Sequence, residues 1–293
     1  MAATTVVIVG VMVRRGLHPL SQLAERAAAI DASSLQLRFT ADKLPAELWP
    51  ICQRLNDLLA RLEASFGRER RFSADVSHEL RTPIAELRTL AEVALKWPDD
   101  MPAIRSAMKD ALAIALQMES IATGLLAVAR CEGGQLTVRP EPVSMDALVE
   151  QSFQPFAARA RAKQLTVSVD VPKDACWYTD PAAVRCILSN LFSNAVEHSP
   201  VAGAICLRVE RNGVGGRLLV SNTTDNLAAD DLPHLFERFW QKDAARSSDV
   251  NCGLGLALAR AYARALGMEL SVELSDREEI TFVLSGAKIT SVA

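Results

Sequence analysis

Eight apolar residues, Ile104, Ala107, Ala111, Ile114, Met118, Ile121, Leu125 and Val128, recur at alternating intervals of three and four. That rhythm dictates one long helix with a single apolar stripe. Just upstream, Trp97-Pro98-Asp99-Asp100-Met101-Pro102 breaks the chain, because each proline lacks an N–H and disfavours helix in the residue before it. Before the break, Phe72, Val76, Leu80, Ile84 and Leu87 carry helical spacing, and Leu48, Ile51, Leu55, Leu58 and Leu62 carry the seam of a coiled coil. No Gly-Pro punctuation separates those two stretches, so one helical rod connects them. Two long helices across a short turn make an antiparallel hairpin, and a lone hairpin leaves apolar surface in water. Pairing two hairpins into a four-helix bundle covers it, which predicts a homodimer.

Gly133-Gly134 marks a boundary, after which the pattern changes. Strand-like alternation appears at 165–171, 204–210, 218–221, 270–274 and 280–284, with helical stretches at 145–162, 181–197 and 254–266 between them. Strands interspersed with helices predict an α/β two-layer sandwich. The expected fold is therefore multidomain, a helical hairpin followed by that sandwich. A length of 293 residues, 49% of them hydrophobic, allows two or three such modules. The net charge of -3 gives no basic field for nucleic acid. Six cysteines lack any C-x-x-C pairing, which indicates reduced thiols rather than a zinc or redox motif.

At the other end, Ala2 to Val13 is an apolar run that stops at Arg14 and Arg15. It is shorter than the ~20 residues of a full span, and its positive charges follow the run, as on the cytoplasmic side of a membrane helix. Residues 1–14 are read as the end of a transmembrane helix, with Asp31 to Pro45 as a polar connector further on.

Three constellations carry chemistry. In the first, His78 and Thr82 lie four apart on one helical face with Glu79 beside the histidine. A neutral imidazole attacks a phosphoryl group through one nitrogen while a carboxylate holds the other. Pro83 inside the helix is a costly residue. In the second, Asn190 and Asn194 share a helical face, and their carboxamide oxygens suit Mg²⁺ directly or through its waters. The third, Asn251-Cys252-Gly253-Leu254-Gly255-Leu256, precedes an apolar helix. Glycines there let the backbone approach a phosphate held by free N–H groups.

Ser77 to Pro83 reads S-H-E-L-R-T-P, which resembles the phosphoacceptor box of sensor histidine kinases. Asn190 to Ala195 is similar to the same family's asparagine box, and 235–240 with 251–256 to its phenylalanine box and second glycine box. The resemblance covers nearly the whole chain. It implies a HAMP-like relay at 15–66, a dimerisation and phosphoacceptor domain at 67–131, and an ATP-binding domain at 140–288. It also implies roles: His78 as phosphoacceptor, Glu79 as its support, Thr82 as the position that orients water in dephosphorylation, Asn194 on Mg²⁺ and Asn190 behind it. Gly253 and Gly255 would flank the phosphates.

The chain departs from the family at the first glycine box. Asn222 stands where an aspartate accepts from the adenine amino group, and neither glycine of that box is present. Glu197 occupies a place where many relatives carry a basic residue, which leaves Lys242 or Arg246 to supply positive charge. The implied activity is an ATP- and Mg²⁺-dependent histidine kinase of the bacterial inner membrane. It would pass its phosphoryl group to the receiver domain of a response regulator and also act as a phosphatase. A regulatory pseudokinase with a degraded adenine pocket is the alternative, and a gyrase-type ATPase ranks behind both because it requires neither His78 nor the hairpin.

Overall fold

Helix dominates the first 132 residues, as α1 (Ala2–Ala28), α2 (Trp49–Lys96) and α3 (Met101–Glu132). The computed structural model describes residues 2–31, 34–40, 45, 48–212, 215–225, 227–242, 253–275 and 278–289. They form two compact units, 1–78 and 79–293, divided within α2.

In the first unit, α1 runs on past Arg14, Arg15 and Pro19. Leu23 of α1 joins Leu35 and Phe39 of the connector and Cys52 and Leu59 of α2 in a small core. Asn56 fixes the connector to α2 by mimicking a peptide group. Its Oδ1 accepts from Phe39 N at 2.9 Å, and its Nδ2 donates to Phe39 O at 2.9 Å. Arg38 adds an ion pair to Glu63. The connector thus hides two apolar anchors inside a stretch that reads as polar. Ile51, Leu58 and Leu62 of the expected seam lie outside this core, exposed.

The 48-residue α2 is the single rod that the spacing predicts, uninterrupted by Pro83. Asp100 caps α3 by accepting from Ala103 N at 3.1 Å, and Pro102 sits in the first turn, where its missing N–H costs nothing. The helix ends at Gly133, and Gly134 takes φ 64°, a conformation that glycine adopts without penalty. The predicted stripe on α3 is the covered one. Ala107, Ile121 and Val128 are buried and the other five half-buried. Met108, Leu112, Leu116 and Leu126 instead lie more than half exposed. By length and composition α3 could cross a bilayer. Arg105, Lys109, Asp110 and Glu119 along it, and its packing on the helix Gly255–Ala265, assign that apolarity to protein contacts.

Beyond the hairpin, a seven-stranded sheet has the order β1-β3-β7-β5-β4-β2, with β6 also on β7. The strands are β1 (Glu141–Ser144), β2 (Thr166–Asp170), β3 (Cys176–Thr179), β4 (Ala204–Asn212), β5 (Gly215–Thr223), β6 (Glu269–Ser275) and β7 (Glu279–Ile289). Among the described residues, only β2 and β4 pair in parallel. Helices α4 (Met145–Phe153), α5 (Ala157–Ala162), α6 (Pro181–His198) and α7 (Gly255–Ala265) complete the module, a helical layer over a sheet.

Asp180 starts α6 by accepting from Ala182 N and Ala183 N, and Pro181 fills the first turn. Its other oxygen accepts from Arg139 N at 2.8 Å, so one carboxylate ties the linker after α3 to α6. Val184, Ile187, Leu188, Leu191, Phe192 and Ala195 recur by three and four and are fully buried. They meet β5 and β7 through Leu218, Val220, Phe282 and Leu284. Each large side chain so buried contributes about 1.5–3 kcal/mol. With one stripe of α6 committed to the core, its other flank is left for chemistry.

Candidate functional site

His78 and Thr82 are both exposed, one turn apart on α2, while Glu79 is half-buried and Pro83 buried. Ser77 Oγ donates to Ser73 O at 2.7 Å, so that hydroxyl turns back onto its own helix. The His78 imidazole and the Thr82 hydroxyl are therefore accessible from solvent along one face of α2.

On α6, Asn190 and Asn194 are half-buried. Asn190 Nδ2 donates to Cys186 O at 2.7 Å, which aims Oδ1 away from the helix and toward Gly255 at the start of α7. A Cβ on Gly255 would lie 2.9 Å from that oxygen. Gly253 has φ +65°, and a Cβ there would come within 2.8 Å of the Phe239 backbone. Phe239 itself has φ 62° and donates its N–H to Gly253 O at 2.9 Å. Asparagine, glycine and phenylalanine segments thus converge on the N-terminus of α7, where unpaired backbone N–H groups attract anions.

Phe236 anchors the phenylalanine segment in the core, edge-on to Phe282. The Arg260 guanidinium lies 4.8 Å from its ring and donates to Phe236 O at 3.1 Å. Burial, then neighbouring Arg264, pulls Arg260 below its ordinary value, yet a guanidinium stays charged.

Asn222 sits on β5, 1% exposed. Its Nδ2 donates to Thr223 O at 2.9 Å, while Oδ1 is buried with no hydrogen-bond partner. Such an oxygen costs stability until a donor reaches it, and an exocyclic amine is a suitable donor. The residues therefore fit a purine nucleotide on an observation of their own. Magnesium would depend on carboxamide and phosphate oxygens, since among the described residues no cluster of three His, Cys, Asp or Glu side chains could hold a metal.

The two expected cations fare differently. Lys242 Nζ donates to Asp231 Oδ2 at 2.5 Å, so its charge is committed within the chain. That hydrogen bond, then one from Ala228 N, holds the Asp231 carboxyl below its ordinary value. Arg246 lies outside the described residues, as do Asn251 and Cys252. The sequence reading missed Lys163, whose Nζ donates to the carbonyls of Glu197 and Ser199 and closes the C-terminus of α6. It also missed Arg238, which pairs with Glu132 at the end of α3. Neither pairing has a local sequence signature, because each partner is distant along the chain.

Comparison with known proteins gives an independent view of these segments. Residues 68–134 match the His Kinase A (phospho-acceptor) domain, and residues 179–288 the histidine kinase-, DNA gyrase B-, and HSP90-like ATPase. The sensor protein CutS of Streptomyces coelicolor is 33% identical over 265 residues, 89% of this chain and 63% of that protein. The probable sensor protein PcoS of Escherichia coli is 30% identical over 266 residues, 90% of this chain and 57% of that protein. The chain thus spans between about half and three-fifths of the length of the curated relatives it matches. Among solved structures, Acinetobacter baumannii histidine kinase AdeS superposes with a TM-score of 0.59 at 22% identity, covering 72% of this chain and 98% of that one. Histidine kinase ThkA in complex with response regulator protein TrrA gives 0.61 at 19%, covering 75% and 64%. At such identities these two likenesses concern the fold.

Proposed function

The chain belongs to the sensor histidine kinase family of two-component systems, and on that premise we propose that it phosphorylates itself on His78 from ATP and passes the group to an aspartate of a response-regulator receiver domain. The observation that carries this reading is the packing of Asn190 against Gly255, with Gly253 locked to Phe239. That convergence supports phosphate binding at the helix start, beside two carboxamides.

ATP bound there would supply the transferable phosphoryl group, with Mg²⁺ offsetting its charge. Asn194 and Asn190 would hold the metal and the phosphate oxygens, Gly253 and Gly255 would let the backbone N–H groups approach, and Asn222 Oδ1 would accept from the adenine amino group. The His78 imidazole would attack the γ-phosphorus as its bond to the β–γ bridging oxygen breaks and ADP leaves, and Glu79 would fix its tautomer and support the positive charge that develops. Catalysis by these residues is mainly positioning and electrostatic support. Thr82 holds the water that dephosphorylates the partner, which makes the protein a phosphatase as well.

The exposed apolar face of α3 supports a homodimer whose second hairpin covers Met108, Leu112 and Leu116. The apolar run before Arg14, and the description of its relatives as sensor proteins, support anchorage of residues 1–14 in the bacterial inner membrane, with 15–66 as a HAMP-like relay.

The deciding experiment incubates the protein with γ-labelled ATP and Mg²⁺ and assays acid-labile phosphate. Label on His78 that moves to a receiver domain supports the kinase. ATP binding without label would favour the pseudokinase.

A further inference from the structure

Arg260 stands five residues after Gly255 on α7 and is half-buried. A guanidinium that gives up part of its water is costly, and Arg264 follows one turn later with the same charge. What Arg260 meets is Phe236, and it meets it twice. Its Cζ lies 4.8 Å from the centroid of the Phe236 ring, and its Nη2 donates to Phe236 O at 3.1 Å. Phe236 is 6% exposed and lies edge-on to Phe282 of β7. One residue is thus held at ring and backbone together.

Phe236 begins a short strap that ends at Phe239, whose N–H donates to Gly253 O at 2.9 Å. Gly253 leads through Leu254 into α7, so the contacts close into a circuit: α7 to Phe236, Phe236 along the chain to Phe239, Phe239 to Gly253, and Gly253 back to α7. Every other step in that circuit is covalent chain or a backbone hydrogen bond. The Arg260 step is made by a side chain. Phe239 has φ 62°, which a residue with a Cβ adopts only where its surroundings fix it on both sides. Gly253 fixes it on one side, and Arg260, through Phe236, on the other.

We propose that Arg260 is a positioning residue of the phosphate site: by holding Phe236 at ring and carbonyl it keeps Phe239 in its strained conformation, and through the Phe239 N–H it sets the Gly253 backbone that the phosphates approach. The strap stands on the structure, and ATP as its ligand rests on the kinase reading. Arginine suits the task because a planar guanidinium can lie against a ring while an N–H at its edge reaches a carbonyl. A lysine ammonium keeps the charge without that flat fork. The strap acts on bound ATP before any bond breaks, so its loss weakens binding and spares the chemical step. KM should rise while kcat holds.

The test compares Arg260→Met and Arg260→Lys with the wild type in the full chain, by amide hydrogen exchange without nucleotide and by autophosphorylation at varied ATP. In Arg260→Met the Phe239 amide should exchange about tenfold faster, while the Leu188 and Leu191 amides of α6 keep their rates. KM for ATP should rise about five- to tenfold with kcat held within about twofold. Arg260→Lys should recover part of both losses. Should the methionine variant not fold, the lysine variant decides: faster Phe239 exchange with a raised KM supports the proposal, and wild-type values of both overturn it. Phe239 exchange that rises only in step with the α6 amides also overturns it, since that marks a general loss of stability, as does an unmoved KM. Hydrogen exchange needs no ATP. A wild type that binds no ATP, with Phe239 still responding to Arg260→Met, counts against the kinase reading and leaves the strap standing. A wild type that labels His78, with Phe239 indifferent to Arg260, does the reverse.

Discussion

Asn190 Oδ1 lies 2.9 Å from the point that a Cβ on Gly255 would occupy, while the amide nitrogen of the same side chain is held by Cys186 O. The asparagine and glycine segments are therefore one piece of geometry. Gly255→Ala must push the carboxamide aside, and the flexible end of an asparagine can give way without unfolding the module. The expected outcome is a small change in melting temperature with a loss of about 1 kcal/mol in ATP affinity, read by calorimetric titration. Unchanged affinity would remove Asn190 from the nucleotide site.

Gly253→Ala should behave in the opposite way. Its φ of +65° costs a residue with a Cβ about 1–2 kcal/mol, and backbone atoms of Phe239 stand 2.8 Å from the new methyl group. Backbone cannot step aside cheaply, so stability falls by more than that strain alone. Thermal denaturation without nucleotide measures this. A melting temperature equal to that of the wild type would mean that the Phe239 contact is not maintained in solution.

Asn222→Asp tests the buried acceptor. The carboxylate loses the Nδ2 donor to Thr223 O and places a charge where 1% of the residue meets water. Without nucleotide, the variant should lose about 1–3 kcal/mol of stability. If the orphan oxygen receives the adenine amino group, ATP restores more stability to this variant than to the wild type, because a charged acceptor makes the stronger bond. Thermal shifts with and without ATP decide it, and equal ATP-induced shifts would place adenine elsewhere.

The legible part of this molecule was whatever repeats locally. The stripe from Ile104 to Val128, the break at Trp97 to Pro102, the long α2 and five of the strands follow from periodicity and punctuation. Strands β1 and β3 were missed because four residues are too few to show alternation, and Pro142 argues against a strand. β1 is the edge strand and β3 lies between it and β7, each held by register with its neighbours rather than by its own pattern. Leu35 and Phe39 were hidden by polar neighbours, and their anchoring depends on Asn56, 17 residues beyond Phe39. In the site, the segments that carry a motif were readable, whereas Lys163, Arg238 and the commitment of Lys242 to Asp231 depend on partners that only the fold brings near.

The exposed face of α3 predicts assembly. Leu112 and Leu116 are 62% and 56% exposed, one turn apart, and burying each would contribute about 1.5–3 kcal/mol per copy. Leu112→Asp should weaken the dimer strongly, because it would bury a charge with no partner. Sedimentation at several concentrations should show dimer for the wild type and monomer for the variant, with helical content retained. A stable wild-type monomer would reject the bundle.

Lys242 provides the last test, since the sequence assigns it to the phosphates and the structure pairs it with Asp231. The Asp231 carboxyl is held low first by the Lys242 hydrogen bond and then by Ala228 N. A carboxylate whose folded value is depressed contributes above its ordinary range and loses that contribution as pH falls through the depressed value. At neutral pH the pair is therefore fully formed and Lys242 is held away from other anions. Asp231→Asn releases the ammonium while keeping a hydrogen-bonding side chain for Ala228 N. If Lys242 serves the nucleotide once freed, ATP affinity should rise a few-fold, and added salt should erase the gain, because an exposed charge is screened. Lys242→Ala alone should change ATP affinity little, and the double variant should match it rather than Asp231→Asn. A gain that survives in the double variant would show that removing the acidic charge, not freeing the lysine, was responsible, and the phosphate role would then belong to another cation.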